Sequence, residues 1–99
     1  FENNSIYGNT YSGIQVKSEA DPYFRNNKIY NGRQDGVWVL DRGRGRFENN
    51  EIYGNRRYGV AVKNGGNPVV RGNRIYRNLR GSIGRETGGR GRFVGNTVE

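Results

Sequence analysis

The stretch Asn27-Lys28-Ile29-Tyr30 decides the fold, because the motif Asn-x-Ile-Tyr recurs along the chain at one fixed spacing. The other copies are Asn4-Ser5-Ile6-Tyr7, Asn50-Glu51-Ile52-Tyr53 and Asn73-Arg74-Ile75-Tyr76, with a weakened copy at Asn96-Thr97-Val98. Each copy begins 23 residues after the previous one. The chain therefore divides into four coils, residues 1–23, 24–46, 47–69 and 70–92, and a partial coil, residues 93–99. A constant period of this length is typical of solenoids.

Alignment of the coils produces apolar columns. They are Phe1, Phe24, Phe47, Val70 and Phe93; Ile6, Ile29, Ile52, Ile75 and Val98; Ile14, Val37, Val60 and Ile83; and Val16, Val39 and Val62. The columns alternate with polar residues, as strands with one buried face do, and no coil has an apolar stripe at helical spacing. We predict an all-β fold with three short strands in each coil, near its residues 1–2, 5–7 and 13–17.

Turn residues separate the predicted strands. The asparagine that opens each motif, such as Asn27 or Asn50, is predicted to adopt a left-handed bend, which asparagine tolerates well. Glycine and proline occupy the last turn of each coil, as in Asp21-Pro22 and Gly43-Arg44-Gly45. Three strands for each turn of the chain, repeated in register, predict a parallel β-helix whose coils stack at about 4.8 Å.

Composition alone gives a different impression from the order of the residues. Ile, Val, Leu and Phe make up 21 of the 99 residues and the net charge is +8, which is close to the composition of disordered chains. The chain has no Cys and no His, which excludes disulfides, thiolate or imidazole metal sites, and nucleophile–histidine catalysis. No apolar run approaches the roughly 18 residues of a membrane span. We predict no cofactor and no metal site.

The outward charges alternate in sign along two columns, Glu2, Arg25, Glu48, Arg71 and Lys28, Glu51, Arg74. We interpret them as pairs that compensate each other between neighbouring coils. One position breaks the pattern, because Arg85 stands where earlier coils have an inward valine. A buried arginine needs a charged partner or solvent, so we expect either a distorted fourth coil or an arginine that covers an end of the solenoid.

The motifs Asn-x-Ile-Tyr-x-Asn and Gly-(Ile/Val)-x-Val, and the stretch from Asn67 to Tyr76, resemble the right-handed parallel β-helix repeat of the carbohydrate-binding and sugar-hydrolase type. The pattern is similar to the β-helix domain of the F-box-only ubiquitin-ligase substrate receptors and of related bacterial repeat proteins. The resemblance covers the whole chain and implies a right-handed solenoid. It implies protein partners in the first family and a polysaccharide groove in sugar-active relatives.

Three sets of outward side chains are candidate binding residues. The first is the tyrosine column, whose rings can stack on sugars or bases, or on each other: Tyr7, Tyr30, Tyr53 and Tyr76. The second is a set of arginines that suit an acidic ligand or form a solvated cluster: Arg33, Arg56, Arg57 and Arg80, with Arg44 and Arg46 in the last turns. The third is Trp38, as a contact residue for a partner or as packing against Leu40 or an arginine.

Catalysis is not predicted, because the aspartates lie in different columns and no carboxylate pair is visible. The function predicted first is a non-catalytic module that binds a protein partner. Binding or processing of an acidic polysaccharide is the alternative, and nucleic-acid binding is a weaker one. Solenoid ends need caps, and neither end reads as one. We therefore expect a single domain over residues 1–99 that is part of a longer protein or associates end to end.

Overall fold

The computed structural model describes residues 1–99, which form thirteen short strands and no helix. The strands are β1 (Ser5–Tyr7), β2 (Ile14–Val16), β3 (Tyr23–Arg25), β4 (Lys28–Tyr30), β5 (Val37–Val39), β6 (Arg46–Glu48), β7 (Glu51–Tyr53), β8 (Tyr58–Val62), β9 (Val69–Arg71), β10 (Arg74–Tyr76), β11 (Gly81–Arg85), β12 (Arg92–Val94) and β13 (Thr97–Val98). The second, third and fourth coils contribute three strands each, and the first coil and the partial coil two each, close to the predicted positions.

The strands form three parallel sheets, which we name after a side chain on the outer face of each. The tyrosine sheet contains β1, β4, β7, β10 and β13; the tryptophan sheet contains β2, β5, β8 and β11; the arginine sheet contains β3, β6, β9 and β12. Paired residues are 23 positions apart, as in Ile6 with Ile29 and Trp38 with Ala61. Each coil thus lies directly on the next, and the predicted all-β parallel solenoid of about four coils is confirmed.

The core is a narrow column of twelve buried side chains drawn from the four predicted apolar columns. Phe47, Ile52 and Val60 in the third coil are completely buried. The Phe24 and Phe47 rings stack with their centroids 5.2 Å apart and their planes at 4°. Few apolar residues are needed because each one is surrounded by its counterparts in the coils above and below, which removes almost all of its surface from water.

The motif asparagines have a different role from the one that the sequence predicts. The left-handed residue is the asparagine before them: Asn26 has a φ of 57° and Asn49 a φ of 55°. Asn27 and Asn50 themselves are buried, and the Asn50 Oδ1 atom accepts the backbone N–H of Asn27 at 2.9 Å. The Asn50 Nδ2 group donates to the carbonyl of Phe24 at 3.1 Å. The predicted left-handed bend is therefore wrong by one residue, because the amide is needed to pair buried backbone groups at the corner.

Arg85 leaves the core instead of distorting it. Strand β11 keeps the common register, with Arg85 beside Val62. The Arg85 side chain is exposed, and its guanidinium carbon lies 4.7 Å from the centre of the Phe93 ring. Because β11 is the last strand of its sheet, the arginine covers an end of the solenoid, which is the second of the two predicted arrangements.

Candidate binding surfaces

The tyrosine column forms a continuous stack on the outer face of the tyrosine sheet. Ring centroids are 5.2 Å apart for Tyr7 and Tyr30, and 5.0 Å for the two following pairs, Tyr30–Tyr53 and Tyr53–Tyr76. The interplanar angles are 17°, 3° and 9°. The distance is set by the spacing of parallel strands, which brings identical side chains into van der Waals range.

This stacking determines what the tyrosines offer to a ligand. Both faces of the Tyr30 and Tyr53 rings are covered by neighbouring rings. Tyr76 is the last ring of the stack, and the guanidinium carbon of Arg74 lies 4.5 Å from the centre of this ring. Sugars and bases stack on open ring faces. The inner tyrosines therefore present ring edges and hydroxyls, and of the two interpretations the structure shows the one in which the rings stack on each other.

Trp38 lies on the tryptophan sheet between Gln15 and Ala61. Its ring is half-buried, and its buried indole N–H has no acceptor in the chain. The next two residues of its column, Ala61 and Gly84, are both buried, and a Cβ atom at Gly84 would lie 2.5 Å from the Tyr58 ring. Trp38 borders a surface cavity of about 470 Å³, and the lining residues are Tyr11, Ser12, Gln15, Gln34, Asp35, Trp38, Arg57, Lys63 and Glu86.

Within this cavity Arg57 holds two carboxylates from different coils. Its Nε atom lies 3.5 Å from Asp35 Oδ1 and its Nη2 atom 3.8 Å from Glu86 Oε1. Asp35 is buried and also accepts the backbone N–H of Tyr58 at 2.9 Å. Burial raises the pKa of Asp35, while the bond from Tyr58 and the charge of Arg57 oppose that rise. The aspartate therefore pairs a backbone group of the next coil, and Arg57 compensates its charge.

The predicted charge compensation along the outward columns holds for one pair. Arg25 Nη2 lies 2.7 Å from Glu2 Oε1. The next glutamate, Glu48, accepts a hydrogen bond from the Tyr23 hydroxyl at 2.7 Å, which raises the pKa of Tyr23. In the second column, Glu51 accepts a bond from the Tyr76 hydroxyl. Glu48 and Glu51, which the sequence predicts to pair with basic side chains, thus accept hydrogen bonds from tyrosines instead.

The predicted arginines divide between two parts of the surface. Arg33 and Arg56 occupy the same position of consecutive coils, in the turns after the tyrosine sheet, and Arg80 lies in the corresponding turn of the fourth coil. All three are exposed and take part in no ion pair, whereas Arg57 points into the Trp38 cavity. Arg46 is the first residue of strand β6 in the arginine sheet, and Arg44 lies in the turn just before that strand.

Around Arg46 the structure forms a cleft that was not predicted as a unit. We call it the arginine cleft; its volume is about 400 Å³ and its lining residues are Arg46, Glu48, Val69, Arg71, Arg92 and Val94. Val69 is paired laterally with both Arg46 and Arg92, and Arg71 with both Glu48 and Val94. The three arginines take part in no ion pair. Arg46 is among the predicted binding residues, and the sequence signal for the rest of the cleft is the Arg-Gly-Arg that residues 44–46 share with residues 90–92.

Other features of the surface bear on metals and membranes. No group of three or more Asp or Glu side chains lies close enough together to hold a metal ion. No helix of sufficient length and apolarity to cross a membrane is present.

Comparisons with known proteins agree with the architecture. No curated protein and no solved structure gives a significant match to the chain. A family model described as a right handed beta helix region matches residues 1–99. The match covers every coil, and with the parallel stacking of three sheets it places the chain in the right-handed β-helix family.

Proposed function

We propose that the chain is a non-catalytic binding module and that its partner is a protein with an acidic contact surface. The observation that carries the proposal is the imbalance of ion pairs. Eleven of the fourteen arginines, all except Arg25, Arg42 and Arg57, have no carboxylate within ion-pair distance. Guanidinium groups in this state are available for bidentate bonds to carboxylates of a partner.

The carboxylates support a non-catalytic role. A pair of carboxylates that acts as general acid and base must reach the substrate from both sides of the bond to be cleaved. Asp35 and Glu86 share the Trp38 cavity, but Arg57 lies within ion-pair distance of both. Asp35 is also held by the backbone N–H of Tyr58. These contacts account for both side chains as part of the stacking of the coils.

The surface favours a protein partner over an acidic polysaccharide or a nucleic acid. The covered faces of Tyr30 and Tyr53 remove the stacking platform that sugars and bases use. The arginine cleft contains two valines, which a protein partner can cover with apolar side chains. An acidic polysaccharide is the second candidate, because its anionic groups would bind the same unpaired arginines. Nucleic acid is the weaker third candidate.

Selection of peptides from a random library at about 150 mM salt tests the proposal, since surface charges are screened beyond about 8 Å at this ionic strength. We expect enrichment of defined sequences that bind the purified chain as free peptides. Heparin, polygalacturonate and duplex DNA are tested in parallel, and their chain lengths are measured before and after incubation. The proposal is wrong if no peptide is enriched while one of these polymers binds, or if the chain shortens a polymer.

A further inference from the structure

Two arginines of the arginine cleft, Arg46 and Arg92, are each the last residue of an Arg-Gly-Arg segment. Arg44-Gly45-Arg46 belongs to the second coil and Arg90-Gly91-Arg92 to the fourth. The glycines have nearly identical φ angles, 125° at Gly45 and 132° at Gly91, in a region that other residues rarely adopt. A Cβ atom at Gly91 would lie 2.7 Å from the Phe93 ring. The two segments therefore share one backbone conformation and present their arginines in the same way.

The coil between the two segments keeps these arginines apart. The third coil has Asn67-Pro68-Val69 at the equivalent positions, and Val69 lies directly between Arg46 and Arg92. Two steps of about 4.8 Å therefore separate Arg46 from Arg92, and an uncharged residue lies between them. In the adjoining row of the cleft, Arg71 lies between Glu48 and Val94.

Spacing along the strands of the cleft matches that of an extended peptide. The lining residues of each strand are two positions apart, which corresponds to about 7 Å in extended backbone: Arg46 and Glu48, Val69 and Arg71, and Arg92 and Val94. Side chains on one face of an extended peptide repeat at the same distance. An acidic side chain near Arg46 and Arg92 can therefore be followed, two residues later, by an apolar side chain near Val94.

The cleft offers apolar contact surface to a ligand as well as charged groups. Val69 is half-buried between Arg46 and Arg92, and Val94 is 43% exposed next to Arg71. The one acidic residue of the cleft, Glu48, already accepts the Tyr23 hydroxyl. A uniformly charged polymer would leave both valines against polar groups, whereas a peptide can place an apolar side chain on them.

We infer that the arginine cleft binds an extended segment of the partner protein that carries acidic and apolar side chains on the same face, two residues apart. This inference rests on the proposed function and specifies its ligand. Charge-assisted bonds from Arg46 and Arg92 hold the carboxylates, and Val69 and Val94 contact the apolar side chains. Unpaired arginines elsewhere on the surface, such as Arg33 and Arg56, contribute only to the approach of the ligand.

Fluorescence anisotropy with three labelled peptides tests the inference at about 150 mM salt. The Glu-Val peptide has four repeats of Glu-Ser-Val-Ser, which place Glu and Val on one face of an extended chain. In the Glu-Gly peptide each Val is replaced by Gly, and in the Lys-Val peptide each Glu is replaced by Lys. The Glu-Val peptide is expected to bind, the Glu-Gly peptide to bind at least about fivefold more weakly, and the Lys-Val peptide not to bind. The double substitution Arg46→Ala plus Arg92→Ala is expected to weaken Glu-Val binding by about tenfold or more, which corresponds to about 1.4 kcal/mol.

Arg33→Ala plus Arg56→Ala is the matched control, since it removes the same charge from exposed arginines outside the cleft. Val94→Ser is the second variant; it is expected to weaken Glu-Val binding and leave Glu-Gly binding unchanged. Equal effects of the two double variants, or tighter cleft-dependent binding of heparin or DNA, would overturn the inference. If the random library yields acidic peptides whose binding is unchanged by Arg46→Ala plus Arg92→Ala, the cleft inference fails while the proposed protein-binding function stands.

Discussion

The tyrosine sheet and the arginine sheet use the same stacking of coils in opposite ways. On the tyrosine sheet, the outer rings contact each other, and Glu51 accepts the hydroxyl of Tyr76 from the next coil. On the arginine sheet, Arg46 and Arg92 have Val69 between them and no carboxylate partner. These side chains of the first face contact one another, whereas Arg46 and Arg92 on the second face remain available.

The difference follows from what a fixed lateral spacing of about 4.8 Å does to side chains of one kind. Aromatic rings and amides attract their own kind at this distance, so a constant column stabilises the solenoid. Arginines repel one another there, so a constant arginine column would destabilise it. Placing Arg46 and Arg92 in alternate coils reduces the repulsion and leaves the uncharged Val69 between them. We expect substitutions in constant columns to lower the stability, and substitutions in alternating columns to affect binding.

The largest effect is expected for the substitution Asn50→Ala at the corner that leads into the tyrosine sheet. It removes the acceptor of the Asn27 N–H and the donor to the Phe24 carbonyl, both in buried surroundings. Each buried polar group without a partner costs about 1–3 kcal/mol, so we expect the free energy of unfolding to fall by about 3 kcal/mol or more. Urea denaturation measures this value.

The adjacent Asn49 provides the control for this prediction. It is exposed and has a φ of 55°, so Asn49→Gly keeps the required conformation. We expect the free energy of unfolding of that variant to stay within about 0.5 kcal/mol of the wild type. If both variants lose the same free energy of unfolding, the buried hydrogen bonds of the Asn50 side chain do not stabilise the fold as predicted.

These two asparagines also show how far the sequence determines the structure. The period and the apolar columns were sufficient to predict the sheets, since each inward residue is fixed by its copies 23 positions away. They were not sufficient to decide whether Asn49 or Asn50 is the left-handed residue, because the first three coils have asparagine at both of these positions. Gly72 and Gly95 replace the first asparagine in the fourth and fifth coils, and this was the available signal.

The candidate sites were harder to predict than the fold for a geometric reason. Asp35, Arg57 and Glu86 come from three coils and three different columns, so comparison within a column does not bring them together. The arginine cleft likewise combines two columns over three coils. Contacts within a column follow from the period, whereas contacts between columns depend on the directions of side chains, which the sequence does not specify.

Tyr53→Ala is expected to have the second-largest effect. The substitution removes two stacked contacts, to Tyr30 and Tyr76, at 5.0 Å each. A pair of this kind contributes about 0.5–1.5 kcal/mol, and we expect a total loss of about 2 kcal/mol in the free energy of unfolding. Tyr53→Phe keeps the ring and is expected to change the value by less than about 0.5 kcal/mol. A similar loss in both variants would contradict a stabilising role of the ring stack.

A pH dependence is expected from Asp35 on the tryptophan sheet. Because burial raises the pKa of its carboxyl group in the folded chain, the folded state keeps the proton to a higher pH than the unfolded state. The stability contribution of Asp35 therefore decreases as the pH rises from the unfolded-state pKa through the raised folded-state pKa.

Urea denaturation of the wild type and of Asp35→Asn between pH 7 and about 4 measures this contribution. The asparagine keeps an acceptor for the Tyr58 N–H but does not titrate. The wild type is expected to gain stability relative to the variant as the pH falls. Parallel pH profiles would show that burial does not raise the pKa of Asp35.

The smallest effect on stability is expected for the double substitution in the arginine cleft, which is also expected to weaken binding most. Arg46 and Arg92 are exposed and have no ion-pair partner, so Arg46→Ala plus Arg92→Ala removes no contact on which the fold depends. We expect the free energy of unfolding to change by less than about 0.5 kcal/mol, as for most surface substitutions. Urea denaturation of this variant and of Tyr53→Ala compares the contributions of the arginine sheet and the tyrosine sheet to stability directly. A loss for the arginine variant as large as that for Tyr53→Ala would mean that both faces serve the fold, and the distinction between them would have to be abandoned.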